Sequence, residues 1–167
     1  MNMEAWASWI DRFTLRLGRI NSWMILGMVV GTALVAVLRY FFNLGWVWMQ
    51  DLMIYLHALF FLGAVSFGLL RGGHVRVDLW YHTASPKAQA RVDLLGCLGL
   101  LVPFCLLILY QSFPYVTSSW AVLEGSSETG GLPGVFLLKS LLLLFPLTLL
   151  LQGLSQSVKA LLVLREG

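Results

Sequence analysis

Four runs without a single charged residue divide the chain. Ile20–Leu38 lies between Arg19 and Arg39, Leu52–Leu70 between Asp51 and Arg71, Leu94–Leu123 between Asp93 and Glu124, and Ser140–Val158 between Lys139 and Lys159. The first, second and fourth runs are 19 residues long and the third is 30. A 19-residue α-helix reaches about 28 Å, close to the thickness of a bilayer's hydrocarbon core. The pattern predicts an all-α integral membrane protein with four transmembrane helices, over about residues 20–42, 50–70, 86–121 and 133–158. The third run is long enough for about 45 Å, so its helix must tilt, kink or emerge from the bilayer. Pro103 and Pro114 lie inside it, and each removes a backbone donor and favours a bend. Ser85-Pro86 predicts where that helix starts, with serine at the N-cap and proline in the first turn.

The segment before the first run has a different periodicity. Trp6, Trp9, Ile10, Phe13, Leu17 and Ile20 recur at helical spacing, while Glu4, Ser8, Asp11, Arg12, Arg16 and Arg19 fall mainly on the opposite face. This predicts an amphipathic helix over residues 1–19, lying on the cytoplasmic membrane surface before the chain turns inward. Acidic Glu4 and Asp11, and the lack of a small-residue cleavage site after the apolar run, argue against a cleaved signal. The expected organisation is this surface helix, a four-helix transmembrane domain over 20–160, and a cytoplasmic tail over 161–167.

Composition agrees with the membrane class. The chain is 59% hydrophobic and 11% charged, with a mean hydropathy of +0.81, whereas a soluble domain carries roughly 25% charged residues. The net charge of +3 does not point to nucleic acid, because the basic residues form no single stripe. They sort by side instead. With four spans, Arg12, Arg16, Arg19, Arg71, Arg76, Lys87, Arg91, Lys159 and Arg165 share one side, and Arg39 and Lys139 flank the other. The positive-inside rule then places both termini and residues 71–93 in the cytoplasm.

The polar residues do not assemble into a reactive site. Cys97 and Cys105 lie eight residues apart on one predicted helix, roughly 12 Å, too far to bridge, and read as small apolar fillers. No CxxC, P-loop or GxSxG motif is present. His57 lies inside the second run, where a neutral imidazole bonded to a neighbouring helix is the simplest reading. In RGGHVRVDLWYH, residues 71–82, His74, Asp78 and His82 match no standard zinc spacing. An ordered cytoplasmic connection fits better: Gly72-Gly73 turn the chain, and His74, Arg76 and Asp78 alternate on one face of an extended segment. Arg39 and Asp51 bracket the first outer turn and are placed to pair across it, and Asp51 also suits the start of a helix. Tyr40, Trp46 and Trp48 suit the outer aromatic belt. Gly27-xxx-Gly31 and Ala64-xxx-Gly68 permit close helix packing. Lys139 either snorkels outward or meets an acidic partner. With neither inverted repeats nor broken helices, the chain reads as a passive partner in a larger membrane assembly. It is not expected to be an enzyme or to hold a cofactor or metal.

Several of these residues carry a resemblance. Arg39-Tyr40 with Asn43, then Trp46 and acidic Asp51, then Gly63, then Arg71-Gly-Gly-His74-Val-Arg76-Val-Asp78, resemble the small membrane subunit of tripartite ATP-independent periplasmic (TRAP) transporters, the DctQ-like component. The run Glu124–Pro146, with Glu128 in a Gly-rich outer loop, Leu132-Pro133 and Lys139, is similar as well. Asp51 stands where that family often has Glu. The resemblance implies a bacterial inner-membrane system for sodium-coupled uptake, often of organic acids. Its partners would be a large membrane subunit, braced by this one, and a periplasmic solute-binding protein. Glu124, Glu128 and Lys139 would be the candidate partner contacts. The rival reading is a redox anchor holding haem or quinone, for which histidine ligands would be required.

Overall fold

The structure is a computed structural model that describes residues 3–73, 81 and 83–165. It contains four helices long and apolar enough to cross a membrane: α1 (Met3–Phe42), α2 (Val47–Leu70), α3 (Pro86–Ala121) and α4 (Val135–Arg165). No strand occurs among the described residues. The His74, Arg76, Asp78 and His82 readings lie outside the described residues.

Each helix ends for a local reason. Asn43 takes a left-handed φ of 55° and stops α1, and the Leu44 amide returns to the Leu38 carbonyl at 3.0 Å; asparagine tolerates that conformation better than most residues. At the end of α2 the chain turns through Gly72 (φ 67°), and the Gly73 amide reaches the Gly68 carbonyl at 2.8 Å. The Ser85 hydroxyl oxygen accepts from the Ala88 amide at 3.3 Å, and Pro86 opens α3. At the other end of α3, Leu123 (φ 45°) and Glu124 return their amides to Trp120 (3.2 Å) and Ser119 (3.1 Å). That is a Schellman closure with leucine where glycine is usual.

The two prolines of α3 behave differently. Residues Cys97–Leu101 form a π-helical turn, in which the Val102 amide donates to the Cys97 carbonyl five residues back. Pro103 follows directly and has no amide for the preceding turn, so the wider turn relieves the crowding its ring would cause. Pro114 lies in unbroken helix, where the Thr117 hydroxyl donates to the Phe113 and Pro114 carbonyls at 3.0 and 3.1 Å.

The helix α4 is central. It packs against α1, α2 and α3, and α1 and α2 pack against each other, whereas α3 rests mainly on α4. Gly153 makes the α3 contact possible: a Cβ there would lie 2.9 Å from the Leu101 side chain and 3.1 Å from Cys97 Sγ. Cys97 and Cys105 are both free and buried. The bundle is apolar outside and partly polar inside. Val29, Phe41 and Leu100 are exposed, while Gln152 and Ser155 are wholly buried. In hydrocarbon this is the expected arrangement, since apolar surface faces lipid at no cost and polar side chains gain by pairing within.

Two expectations need correction. The turn inward near residue 20 is absent, and α1 runs unbroken through it for 40 residues. The residues at the expected turn are held in helical register by α2: Phe67 packs over Gly18, and Asn21 reaches the Phe60 carbonyl at 3.5 Å. The glycine spacings also mark contacts only in part. Gly31 meets Met53, but Gly27 and Gly68 open onto empty space, and the closest approaches are at Gly18 and Gly63. A Cβ at Gly63 would lie 2.4 Å from Asn21 Nδ2. Spacing within one helix does not say which face the neighbour covers.

Gly18→Leu would drive a side chain into the Phe67 ring, whose nearest atom lies 2.3 Å from the Cβ position. We expect a loss of about 1–3 kcal/mol, the usual cost of overpacking. Gly27→Leu, in open space, should be neutral or slightly stabilising. Thermal unfolding of both purified variants in detergent checks the contrast; equal losses would refute the packing described here.

Candidate functional site

Polar side chains gather at the two ends of the bundle. At the end formed by residues 43–46 and 122–134, the closure after α3 aims Glu124 at the first turns of α4. There Lys139 Nζ lies 2.5 Å from Glu124 Oε2 and 4.0 Å from the centre of the Tyr115 ring. Of the two readings of Lys139, the acidic partner is the one realised. The Lys139 ammonium holds the Glu124 carboxyl below the usual carboxylate range by hydrogen bonding. Beside it Trp120 Nε1 donates to Ser140 Oγ at 2.8 Å, and the Trp120 ring meets Phe136 edge-on at 4.7 Å.

Asp51 fastens the same loop to α2. Its Oδ2 accepts from the Leu132 amide at 2.9 Å, while the Ser126 amide donates to the Leu132 carbonyl at 3.0 Å. A Cβ at Gly131 would fall 2.6 Å from Asp51 Oδ2 and 2.3 Å from Ser126 Oγ, so only glycine lets the chain pass. The expected Arg39–Asp51 pair does not form: Asp51 is taken by the loop, and no ion pair of Arg39 occurs among the described residues. Arg39, Tyr40, Asn43 and Trp46 are exposed at this end, as is Glu128 in the loop. At the opposite end of α2 the Arg71 guanidinium lies 5.5 Å from the centre of the Phe67 ring. The family-motif residues are thus not one cluster but are spread along α1, α2 and their ends.

The other end holds a network that the sequence reading missed. The Thr14 hydroxyl donates to Gln152 Oε1 at 2.7 Å, and Gln152 Nε2 donates to Asp11 Oδ1 at 3.1 Å. The Ser155 hydroxyl lies 2.7 Å from the same Asp11 oxygen, and Lys159 pairs with Asp11 Oδ2. Gln156 Nε2 donates to the Leu69 carbonyl at 2.7 Å, tying α4 to the end of α2. A signal for this existed: Gln152, Ser155 and Lys159 stand at i, i+3 and i+7, and Asp11 and Thr14 at i and i+3. The periodicity of residues 1–19 places Asp11 on the polar face of a surface helix. It faces α4 instead, and the stripe of α1 that packs inward is Ala7, Ile10, Thr14 and Gly18. Trp6, Trp9, Phe13 and Ile20 point outward.

His57 also departs from expectation. Among the described residues it makes no hydrogen bond to a neighbouring helix. It lies exposed on α2, its ring nearly parallel to that of Phe61 at 6.4 Å. The neighbours α1 and α4 cover other faces of α2. A small, mainly apolar cavity of about 110 Å³ lies between α1, α2 and α4, lined by Phe13, Asn21, Leu59, Gly63 and Thr148 among others. Among the described residues, no three His, Cys, Asp or Glu side chains come together as a metal site would require. The polar groups join helices to one another and to loops.

Compared with known proteins, residues 28–162 match the family model described as "Tripartite ATP-independent periplasmic transporters, DctQ component". No curated protein and no solved structure matches the chain. The match spans the loop fastening and the α4 half of the Asp11 network, and begins after its α1 half.

Gln152→Leu removes the residue that joins Thr14 to Asp11 and leaves both polar groups short of a partner in a buried setting. The expected loss is about 1–2 kcal/mol, the range for a buried hydrogen bond in a helix bundle. Unfolding of the detergent-purified subunit measures it. Gln156→Leu, which removes one bond to a backbone carbonyl, should cost less.

Proposed function

The chain belongs to the DctQ-component family of TRAP transporters, the family of their small membrane subunit, and from this premise we propose that it braces the large membrane subunit during solute uptake. The protein is a multi-pass membrane protein. The observation that carries the bracing role is how its polar groups are used. Asp51, Glu124, Lys139, Asp11, Gln152, Ser155 and Lys159 are engaged in fastening its own helices and loops. What faces outward along the spans is largely apolar. A rigid bundle with an apolar exterior can lie against a larger helical subunit and hold it while that subunit moves. Translocation, coupled to sodium, is assigned to the large subunit, and solute capture, often of an organic acid, to the periplasmic binding protein.

In this reading the membrane is the bacterial inner membrane, with both termini in the cytoplasm. The end built from Asp51, Glu124 and Lys139 then faces the periplasm, where an ordered loop carrying Glu124 and Glu128 can help to dock the binding protein. Arg39, Tyr40, Asn43, Trp46 and Gly63 serve as structural positions of the family motif, as do Arg71, His74, Arg76 and Asp78.

Two measurements test these assignments. If helix packing rather than charge joins the subunits, the large subunit should co-purify with this one in mild detergent and stay bound at high salt; separation of two folded subunits under mild conditions would remove the bracing role. For orientation, cysteines placed at Glu4 or Lys87 should be shielded from an impermeant thiol reagent in intact cells, and one at Ser126 should be labelled. The basic asymmetry motivates that pattern, and the reverse labelling would invert the sides.

A further inference from the structure

The outward face of α2 differs from the other apolar faces. At 100° per residue, Gln50, Ile54, His57 and Phe61 fall within an arc of about 60°. All four are exposed, with Ile54 57% and Phe61 62% accessible. His57 stands near the midpoint of the Val47–Leu70 helix, within its charge-free run and so at hydrocarbon depth. Among the described residues its imidazole has no hydrogen-bond partner, and its one ring contact is the parallel stack on Phe61. Lipid tails cannot bond an imidazole, and a polar ring left in hydrocarbon costs free energy that a bonded one does not. Gly68 continues the same arc, and Ala64 and Val65 stand about 20° outside it on either side. A Cβ at Gly68 would meet nothing within 4 Å among the described residues, so no described helix packs against that position. One face thus carries an imidazole with no partner among the described residues and, about three turns further along, a glycine over which a second helix backbone can approach closely.

We propose that this face of α2 is the docking surface for a transmembrane helix of the large membrane subunit, and that this helix presents a hydrogen-bonding group, a hydroxyl, amide or carboxyl, opposite His57. The proposal rests on the assignment of the chain as a small TRAP subunit and names the face through which it acts. The partner is a protein helix and not lipid because only a protein supplies a fixed hydrogen-bonding group at that depth. The stack on Phe61 presets the ring, and Gly68 lets the partner's backbone come near.

The test uses the two-subunit complex in native membranes. A photo-crosslinking amino acid is placed at Ile54 or Phe61, and at Leu107 of α3 as a control on another exposed face. The α2 positions should crosslink to the large subunit and Leu107 should not. In parallel, His57→Leu should lower the yield of co-purified large subunit at least about threefold without lowering the thermal stability of the isolated small subunit, and His57→Gln, which can still hydrogen-bond, should restore it. Gly68→Leu, which fits the open space in the isolated subunit, should also fold and fail to bind. Crosslinks from Leu107 but not from α2 in an intact complex would overturn the proposal and leave the family reading standing. Unimpaired co-purification with both His57→Leu and Gly68→Leu would overturn it too. Absence of any complex with the wild-type chain would instead overturn the bracing role itself.

Discussion

Hydrocarbon offers no hydrogen-bond partners, so polar side chains along these spans gain by pairing inside the protein. In this bundle the side-chain bonds that join one element to another fall mostly on α4 or on the loop that leads into it. Asp11 and Thr14 of α1 bond Gln152, Ser155 and Lys159, the Leu69 carbonyl at the end of α2 takes Gln156, and Glu124, just past α3, takes Lys139. Small residues complete the same design. Gly153 admits α3, and Gly18 and Gly63 let α1 and α2 close on each other. Without these contacts the bundle would lose its register, because apolar side chains pack against lipid nearly as well as against each other.

The placement of these fastenings is what supports the bracing role proposed above. They lie at the two ends of the bundle and join segments distant in sequence: Asp11 to Lys159, Asp51 to Leu132, Thr14 to Gln152. Each closes a large loop and limits how the helices slide. The outward apolar surface is then free to be shared between lipid and a partner, and a residue such as His57 that breaks its uniformity gains significance from that background.

Much was legible in the sequence because membrane spans are written in composition and length. The four charge-free runs, the Ser85-Pro86 start of α3 and the separated cysteines depend on residues near each other in the chain. The HVRVD stretch and the positions around Arg39 and Asp51 supported the family resemblance, which the family match over residues 28–162 bears out. Where the reading failed, it failed on partners. The places of Arg39 and Asp51 at the first outer turn suggest a pair, but Asp51 accepts from the Leu132 amide, 81 residues away. His57 has no hydrogen-bond partner on a neighbouring helix among the described residues. The residues before the first run were split from it by their charges, although α2 keeps α1 helical across the boundary.

The sequence alone determined the class, the number of spans and the family, since hydropathy and short motifs need no knowledge of neighbours. Only the tertiary structure decided that α4 is the hub, that α3 stands apart from α1 and α2, and that Asp11 faces inward. The reason is geometric. A helix has a full turn of faces, and an alternation of polar and apolar residues says which are alike. In a bilayer the apolar face is content with lipid, so hydrophobic periodicity no longer points to the core as it does in water. Which face turns inward is settled by the few small and polar residues that find complements on another helix, and that pairing exists only once the helices are side by side.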